Sequence, residues 1–433
     1  MKKRIVVITL IMVVALFALV GVAGAQGGGE TVAGGFNAPQ GVLVAPDGSV
    51  WVIDSGLGGD NEVSFPSPES GQLETAKTGD TAQIVQISTD GTQAVAANLP
   101  SVLVGMEAIG GARLAVLDGV VYATSGQWTG DATSTPPIAN TPAVVKIDGG
   151  QVTEVANIWP VESSQNPDGT IIDSHPYGLA AGPDGMLWLA DAGANALFKI
   201  DPASGEVTVV TAFAGIPGPL PNPGRGGAME SDPVPTGIAF DSSGNAYVSY
   251  LSGFPFLPGT AKVVMVSADG QVSDYATGLT MLTDLRTGPD GNMYAVQFAQ
   301  FGQQGPDPTS GAIIRVKAGD ASEVVVDGLS FPTSIDFNDA GDAYVTVNGV
   351  GAPGSGEVVK FAGLTAMAGS PLPAPESAPP AADAAPATGE APATLPQSGG
   401  ETSNTVQLGM LLALLGGITL FGGLMLYRQQ FKS

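Results

Sequence analysis

The sequence predicts an all-β fold built from repeated units, and three observations support this prediction. First, one phrase recurs six times: a turn that ends in glycine is followed by an apolar segment with an aromatic residue three positions later. The glycines are Gly48, Gly119, Gly185, Gly244, Gly291 and Gly341, and the aromatic residues are Trp51, Tyr122, Trp188, Tyr247, Tyr294 and Tyr344. Second, the chain has 62 glycines and 34 prolines and only 13% charged residues, which favours short strands and turns over long charged helices. Third, the spacing of the last three glycines matches the ~40–50 residues of one four-stranded propeller blade. The sequence therefore predicts a six-bladed β-propeller of four-stranded blades.

Within each unit the elements follow a constant order. In the first unit a short strand from Gly41 leads through a tight turn to the aromatic strand, and a third strand from Gln83 and a fourth from Thr92 follow. The aromatic strand is apolar on successive residues ("VWVI"), which is typical of a strand covered on both faces. We therefore expect the six aromatic residues to pack between neighbouring blades, since each repeat needs its neighbours to bury its apolar surface.

The last repeat predicts how the ring closes. After the strand "GEVVKFAG", residues 356–363, no fourth strand follows. The segment "ETVAGGFNAPQGV" from Glu30 matches the fourth-strand sequence "EVVVDGLSFPTSI" from Glu323 in pattern. We expect this N-terminal strand to close the last blade, which removes an open sheet edge.

Loop lengths predict which face of the ring binds. Turns between first and second strands and between third and fourth strands are short. The long segments fall between second and third strands or between blades, and these emerge on the opposite face: 56–81, 126–141, 157–174, 214–233, 252–260 and 299–310. Loops on a rigid scaffold commonly carry binding residues, so we expect binding at this long-loop face.

The strand starts "PQGVLVAPDG", "PYGLAAGPDG" and "PTGIAFDSSG" resemble NHL-type six-bladed propellers. Over about residues 30 to 365 the sequence is most similar to the secreted ScyD/ScyE family, whose genes lie beside scytonemin-pigment genes in cyanobacteria. That resemblance implies a six-bladed propeller. It implies no catalytic residues, because none are agreed for the family. In the wider superfamily it implies two kinds of enzyme: gluconolactonase-like hydrolases with acidic and Asn metal ligands, and streptogramin lyases that use histidines. This chain has a single histidine, His175.

The N-terminus has the features of a secretory signal peptide. In residues 1–25, three basic residues follow Met1, an apolar stretch comes next, and the segment ends in Ala23-Gly24-Ala25. We expect cleavage before Gln26, with an uncleaved membrane anchor as the alternative. The propeller is then assigned to residues 26–365.

The C-terminal part has the features of a surface anchor. Residues 366–394 are rich in Pro and Ala and are predicted to be a disordered stalk. Residues 408–427 carry no charge and are long enough for a transmembrane helix, and a basic tail follows. The last segment, 395–433, contains this helix, the tail and, at its start, the motif "LPQSG". The motif resembles the LPxTG sorting signal of sortase substrates and consists of Leu395, Pro396, Gln397, Ser398 and Gly399. We expect wall anchoring, with membrane retention by the intact helix as the alternative.

Charge and cysteine content exclude several functions. The chain has 40 acidic and 15 basic residues, and every acidic residue lies in the part predicted to be exported. Such a surface repels phosphate backbones, so we expect no nucleic-acid partner. The acidity serves solubility or, alternatively, attracts Ca²⁺ or basic partners. With no cysteine, disulfides and thiolate metal sites are absent from the sequence.

A few polar residues depart from the repeat pattern near the predicted channel. Some follow the aromatic strand at the long-loop face, and others interrupt the innermost strands or their starts. The candidate ligand-binding residues are Asp54, Asp191, Tyr250, Gln297, Arg286, Asp284, His175 and Arg113, and Asp336 also lies in an innermost strand. The alternative is structural: such groups line a solvated channel or cap strand ends.

Two functions fit the sequence. The first is a non-enzymatic binding or scaffold protein at the cell surface that contacts an extracellular protein or glycan. The second is a metal-dependent small-molecule hydrolase, similar to a lactonase, with Asp54 and Asp191 among its oxygen ligands. We assign no catalytic residue and no metal ligand, and we expect no cofactor. Ca²⁺ is the alternative cofactor, although no calcium-loop motif supports it. The expected partners also include a sortase and, through the C-terminal helix, the membrane. The ectodomain is expected to be an extracellular monomer, and the C-terminus of the chain is expected to lie in the cytoplasm.

Overall fold

The computed structural model describes residues 28–66, 73–105, 107–302 and 305–373. These residues form six antiparallel sheets of four or more strands, which we number 1 to 6 in chain order. Within the same ranges no helix is long and apolar enough to cross a membrane. The predicted signal peptide (1–25), the sorting motif (395–399) and the apolar segment 408–427 lie outside the described residues.

The strands of sheets 1 to 3 follow one another along the chain. After β1 (Glu30–Phe36), sheet 1 contains β2 (Pro39–Val44), β3 (Val50–Asp54), β4 (Asn61–Pro66), β5 (Leu73–Ile87), β6 (Gln93–Val104) and β7 (Glu107–Ile109). Sheet 2 contains β8 (Leu114–Leu117), β9 (Val120–Ser125) and, after the short β10 (Trp128–Thr129), β11 (Ala143–Asp148) and β12 (Gln151–Asn157). After the helix α1 (Trp159–Gln165) and β13 (Asp173–Ser174), which pairs with β10, sheet 3 contains β14 (Pro176–Ala181), β15 (Leu187–Asp191), β16 (Ala196–Ile200) and β17 (Val207–Ala212).

Sheets 4 to 6 repeat this order. After a hairpin of β18 (Ile216–Asn222) and β19 (Ala228–Ser231), linked by a 3₁₀ helix (Pro223–Arg225), sheet 4 contains β20 (Pro235–Phe240), β21 (Ala246–Tyr250), β22 (Ala261–Val266) and β23 (Val272–Leu279). Sheet 5 contains β24 (Leu282–Thr287), β25 (Met293–Gln297) and, after the pair β26 (Phe301–Gly302) and β27 (Gly305–Pro306), β28 (Gly311–Val316) and β29 (Glu323–Leu329). Sheet 6 contains β30 (Ser334–Phe337), β31 (Ala343–Val347) and β32 (Gly356–Phe361), and a 3₁₀ helix (Leu364–Ala366) and β33 (Ser370–Pro371) follow.

The first strands of the six sheets surround a common axis. β2, β8, β14, β20, β24 and β30 each contact the next strand in this order, and β30 contacts β2. The strands are so close that a side chain in place of Gly41 would collide with the carbonyl of Ala112, and one in place of Gly178 with that of Thr236. Glycine at the start of these strands therefore permits the ring, which has the arrangement of a β-propeller.

The N-terminal strand belongs to the last sheet. β1 pairs antiparallel with β32, with Glu30 opposite Lys360 and Phe36 opposite Gly356. Sheet 6 consequently has the strand order β1-β32-β31-β30. The prediction that the N-terminus supplies the missing outer strand is confirmed, and the two ends of the repeat region are held in one sheet.

The recurring aromatic residues pack between neighbouring sheets. Trp188 of sheet 3 meets Phe240 of sheet 4 edge-on, with ring centroids 5.4 Å apart. Tyr294 of sheet 5 meets Phe337 of sheet 6 at 5.0 Å, and its hydroxyl donates a hydrogen bond to Asp290 of the preceding turn at 2.9 Å. The repeated phrase thus links a tight turn to a contact between sheets, as the sequence predicts.

The folded part continues beyond the predicted boundary at residue 365. β33 pairs with β29, with Ser370 opposite Val324 and Pro371 opposite Glu323. Arg315 also donates a hydrogen bond to the carbonyl of Met367 at 2.8 Å. The first residues of the segment assigned to the stalk therefore belong to the fold, because they add a strand to the outer edge of sheet 5.

Candidate functional site

A pocket of about 100 Å³ opens at one end of the axis. It lies where the first strands begin and the second strands end, which is the face to which the sequence assigns the long loops. Its wall includes at least one residue within or next to the first two strands of every sheet: Gln40, Ala112, Tyr177, Leu251, Thr283 and Thr333 for sheets 1 to 6 in turn. The pocket is therefore a product of the whole ring and not of one repeat.

Arg113 lies on the axis beside this pocket and is fully buried. Its guanidinium donates a hydrogen bond to the carbonyl of Thr333 at 2.8 Å and others to the carbonyls of Gln40 and Thr283. The same group lies 4.6 Å from the centre of the Tyr177 ring, in a cation–π arrangement. Arg113 thereby connects sheet 2 to sheets 1, 3, 5 and 6.

Arg113 is the first of four charged side chains along the axis, with Asp284, Arg286 and Asp336, which we call the axial ion network. Arg113 Nε lies 3.2 Å from one carboxylate oxygen of Asp284, and Arg286 Nε lies 3.7 Å from the other. Asp336 accepts the backbone N–H of Val44 at 2.7 Å. Burial alone would raise the pKa of Asp284, but the charges of Arg113 and Arg286 outweigh it and lower this pKa below its ordinary value.

Three titratable side chains line the pocket among the described residues: Glu107, His175 and Tyr177. The Tyr177 hydroxyl donates to the side-chain oxygen of Gln40 at 3.4 Å, and the His175 ring meets the Tyr177 ring edge-on at 5.5 Å. Glu107 is partly exposed, and its carboxyl has no side-chain hydrogen-bond or ion-pair partner in the described part of the chain. Removal of this carboxyl from bulk water raises the pKa of Glu107 well above its ordinary value.

The two aspartates at the ends of second strands bind the backbone. Asp54 accepts hydrogen bonds from three backbone N–H groups, including that of Ala38 at 2.9 Å. Asp191 accepts from three backbone N–H groups, including that of His175 at 2.7 Å, and from the Ser174 hydroxyl at 2.7 Å. This geometry agrees with the strand-capping alternative, and a ligand-binding role for either carboxylate stays a prediction.

Tyr250 and Gln297 occupy the equivalent positions in sheets 4 and 5. Tyr250 is buried, and its ring meets Phe213 edge-on at 5.2 Å. Burial raises the pKa of Tyr250. The Gln297 side chain donates a hydrogen bond to the carbonyl of Ser310 at 2.8 Å. Both side chains therefore support the loops around the pocket.

A second group of buried charges lies around Asp191. Glu162 of α1, Asp168, Asp173 and Asp191 form what we call the acidic cluster. One oxygen of Glu162 accepts the backbone N–H of Asp173 at 3.3 Å, and the other has no hydrogen-bond partner among the described residues. One cation of the described residues, Arg225, approaches the cluster, and its guanidinium lies 3.5 Å from the Asp168 carboxylate.

Burial and mutual repulsion dominate the acidic cluster. Burial, followed by repulsion from the other three carboxylates, raises the pKa of Glu162 to about 9. Burial raises the pKa of Asp173 to about 7 and that of Asp191 to about 6, in spite of their hydrogen bonds. Within the described ranges, no group of three or more His, Asp or Glu side chains is arranged to hold a metal ion.

The structure brings together only part of the predicted site. Arg113, Asp284 and Arg286 share the axis, and His175 lines the pocket, whereas the four residues at the strand ends support backbone and loops. Sequence reasoning missed Glu107 and Glu162. The signal for Glu107 was available, since it is the one acidic residue in the otherwise apolar stretch "SVLVGMEAIGGA".

No family model and no curated protein sequence matches this chain. Several solved structures are similar to it. Virginiamycin B lyase from Staphylococcus aureus is 13% identical with a TM-score of 0.41, over 75% of this chain and 95% of the lyase. A protein of unknown function from Bacteroides thetaiotaomicron is 14% identical with a TM-score of 0.47, over 78% of this chain and 74% of that protein. The PQQ-bound aldose sugar dehydrogenase from Streptomyces coelicolor is 14% identical with a TM-score of 0.42, over 76% of this chain and 96% of the dehydrogenase.

Proposed function

We propose that this chain is an exported, surface-anchored six-bladed β-propeller that binds an extracellular ligand through the pocket on its long-loop face and has no catalytic activity. The observation that supports this most is the pocket itself. Its wall draws residues from all six sheets at the end of the axis that carries the loops. Rigid strands hold these residues, and surrounding loops provide area for contact, which is the combination expected of a binding site.

The arrangement of carboxylates favours binding over the alternative of a metal-dependent hydrolase. A hydrolase of that kind needs several oxygen ligands that converge on one ion. Asp54 and Asp191 belong to different sheets, and each directs its carboxylate to local backbone N–H groups. Arg113, the charged group beside the pocket, is bound to main-chain carbonyls and to Asp284.

The proposed surface location depends on the sequence of the chain ends. The charged and apolar N-terminus, the "LPQSG" motif and the apolar segment 408–427 occur in the order of a sorted surface protein. We include in this proposal the resemblance to the ScyD/ScyE family. Replacement Ser398→Ala should move the protein from the wall fraction to the membrane fraction, and complete extraction of the unaltered protein by mild detergent would contradict wall anchoring.

Photo-crosslinking tests which face binds. A photoreactive phenylalanine derivative in place of Leu57, whose side chain is 44% exposed at the pocket, reports on the long-loop face. The matched position is Ala340, which is exposed in a turn between first and second strands on the opposite face. On cells that display the full-length protein, we expect adducts from position 57 and none from position 340. Adducts from position 340 alone, or from neither position, would contradict the proposal.

A further inference from the structure

The central pocket contains one negative group that the rest of the described protein leaves uncompensated. Glu107 lines the pocket, and its carboxyl has no side-chain partner among the described residues. A buried or half-buried carboxylate without a partner is costly, so natural proteins pair or neutralise such groups. Burial raises the pKa of Glu107, and no partner charge opposes this shift among the described residues.

The guanidinium beside the pocket does not serve as that partner. Arg113 lies beside the pocket, but its guanidinium is fully buried and is bound to carbonyls such as that of Thr333 and to Asp284. No ion pair joins it to Glu107 within the described ranges. The described residues therefore supply no positive charge that pairs with Glu107.

The other walls of the pocket suit a small cation with an apolar body. The aromatic rings of Phe256 and Phe298 line it, together with Leu103 and Met281. The ring of Tyr177, which already holds Arg113 in a cation–π contact, also borders it. Aromatic faces attract ammonium groups, and the apolar side chains accept an alkyl chain. A volume of about 100 Å³ limits the occupant to a few heavy atoms, because one water already needs roughly 10–15 Å³ of such volume.

We propose that the pocket binds an alkylammonium group, with Glu107 as its counter-ion and the aromatic rings around it. The same chemistry is offered by a free small amine and by a lysine side chain of a protein partner. The excess of 40 acidic over 15 basic residues favours the approach of either one. This inference rests on the proposed binding function and specifies its ligand class.

Titration of the full-length protein with four probes tests the inference. The probes are n-butylammonium, its neutral counterpart butan-1-ol, Nα-acetyl-lysine methylamide, and the same compound acetylated at Nε. We expect the two ammonium probes to bind at least about tenfold more tightly than their neutral counterparts. If only n-butylammonium binds, the ligand is a free amine; if the lysine compound binds equally well or better, the partner is a protein.

Substitutions at Glu107 test whether this residue causes the preference for ammonium probes. Glu107→Gln should remove the tenfold preference for the ammonium probes, and Glu107→Asp, which keeps the charge but shortens the side chain, should reduce it. The matched control is Glu206→Gln, the same change at an exposed turn of the opposite face, which should leave both affinities unchanged. Unaltered melting of each variant shows that the fold is intact.

The pH dependence gives a second readout. Ionised Glu107 is the binding form, so affinity for n-butylammonium should rise with pH while that for butan-1-ol stays constant. The other titratable groups that face this pocket are His175 and Tyr177, with Arg113 beside it, so the dependence should persist in His175→Gln. Equal affinity for charged and neutral probes would overturn the ammonium inference and leave the binding function standing. If no probe binds, the inference fails, and crosslinking from position 57 decides the binding function separately.

Discussion

The axial ion network and the acidic cluster are both buried groups of charged side chains, but they differ in balance. The axial ion network has two arginines and two aspartates, with Arg113 and Asp284 almost completely buried. The acidic cluster has four carboxyl groups and, in the part of the chain that the structure describes, only Arg225 at its edge. Asp284 and Glu162 are equally inaccessible to water, yet the pKa of Asp284 is lowered and that of Glu162 is raised to about 9.

This difference shows that burial destabilises the ionised form of a carboxyl group, and that the neighbouring charges determine whether the group stays ionised. Two guanidinium groups flank Asp284, and the hydroxyl of Ser334 also donates to it at 2.6 Å, so its ionised form persists. Among the described residues, Glu162 interacts with other carboxylates and with one backbone N–H, so its neutral form is favoured. The axial ion network therefore keeps its charges through ion pairs, whereas in the acidic cluster burial and repulsion favour the neutral form of Glu162.

Removal of Arg113 should have the largest effect. Arg113→Met leaves Asp284 buried without its closest cation and leaves main-chain carbonyls such as that of Thr333 without a donor. We expect the free energy of unfolding to fall by about 3–5 kcal/mol, measured by chemical denaturation. Arg286→Met should cost less, because Arg286 is 13% exposed and its hydrogen bond to Leu179 is 3.3 Å long.

A second substitution separates charge from packing in this prediction. Asp284→Asn in the Arg113→Met background removes the uncompensated carboxylate, so part of the lost stability should return. No recovery in the double variant would show that lost packing, and not the charge balance, explains the effect of Arg113.

The acidic cluster should make stability fall as pH rises. The pKa of Glu162 is raised from 4.5 to about 9, so between these values the folded protein holds a proton that the unfolded chain releases. This contribution to stability is fully present below about pH 4.5 and is lost as pH rises towards 9; Asp173 acts in the same direction up to about pH 7. Glu162→Gln should raise stability at pH 8 by about 1–3 kcal/mol and flatten the pH dependence of the melting temperature. Exposed Glu206→Gln should change neither quantity, and an unchanged slope in Glu162→Gln would contradict the assignment.

The sequence predicted the sheets better than the site, for a physical reason. Repeated turns and aromatic strands are local patterns, and the missing fourth strand of the last repeat pointed to the N-terminus, so β1 could be assigned to β32 before the structure. The departures at Arg113 and Asp284 were also visible, but their pairing depends on how sheets 2 and 5 meet across the axis. Glu107 and Glu162 lie outside the repeat, and only the convergence of distant loops gives them their surroundings.

Asp54 and Asp191 provide a matched pair that isolates the effect of the acidic cluster. Both end a second strand and accept three backbone N–H groups, but only Asp191 lies beside Glu162 and Asp173. At pH 8 we expect Asp54→Asn to cost about 1–2 kcal/mol through weakened charge-assisted hydrogen bonds. Asp191→Asn should cost less, because the substitution also relieves repulsion within the cluster. If the two costs are equal in thermal and chemical unfolding, the repulsion has no measurable effect on stability.

Substitution of Asp336 should have the smallest effect on stability. It tests whether Asp284 alone compensates the positive charges of the axial ion network. Burial raises the pKa of Asp336, and the charge of Arg286 only partly opposes this, so Asp336 is the weaker anion of the network. An asparagine at this position can still accept the backbone N–H of Val44, which now donates to Asp336 at 2.7 Å. We therefore expect Asp336→Asn to change the free energy of unfolding by less than about 1 kcal/mol at neutral pH. Asp284→Asn alone should cost more, because it leaves Arg113 and Arg286 without their shared anion.

The free energy of unfolding should also depend on pH through Asp336. A carboxyl with a raised pKa contributes stability at low pH that is lost as pH rises, so Asp336→Asn should flatten this dependence slightly. A larger loss for Asp336→Asn than for Asp284→Asn would mean that the second aspartate carries the balance, and that the axis depends on all four charges together.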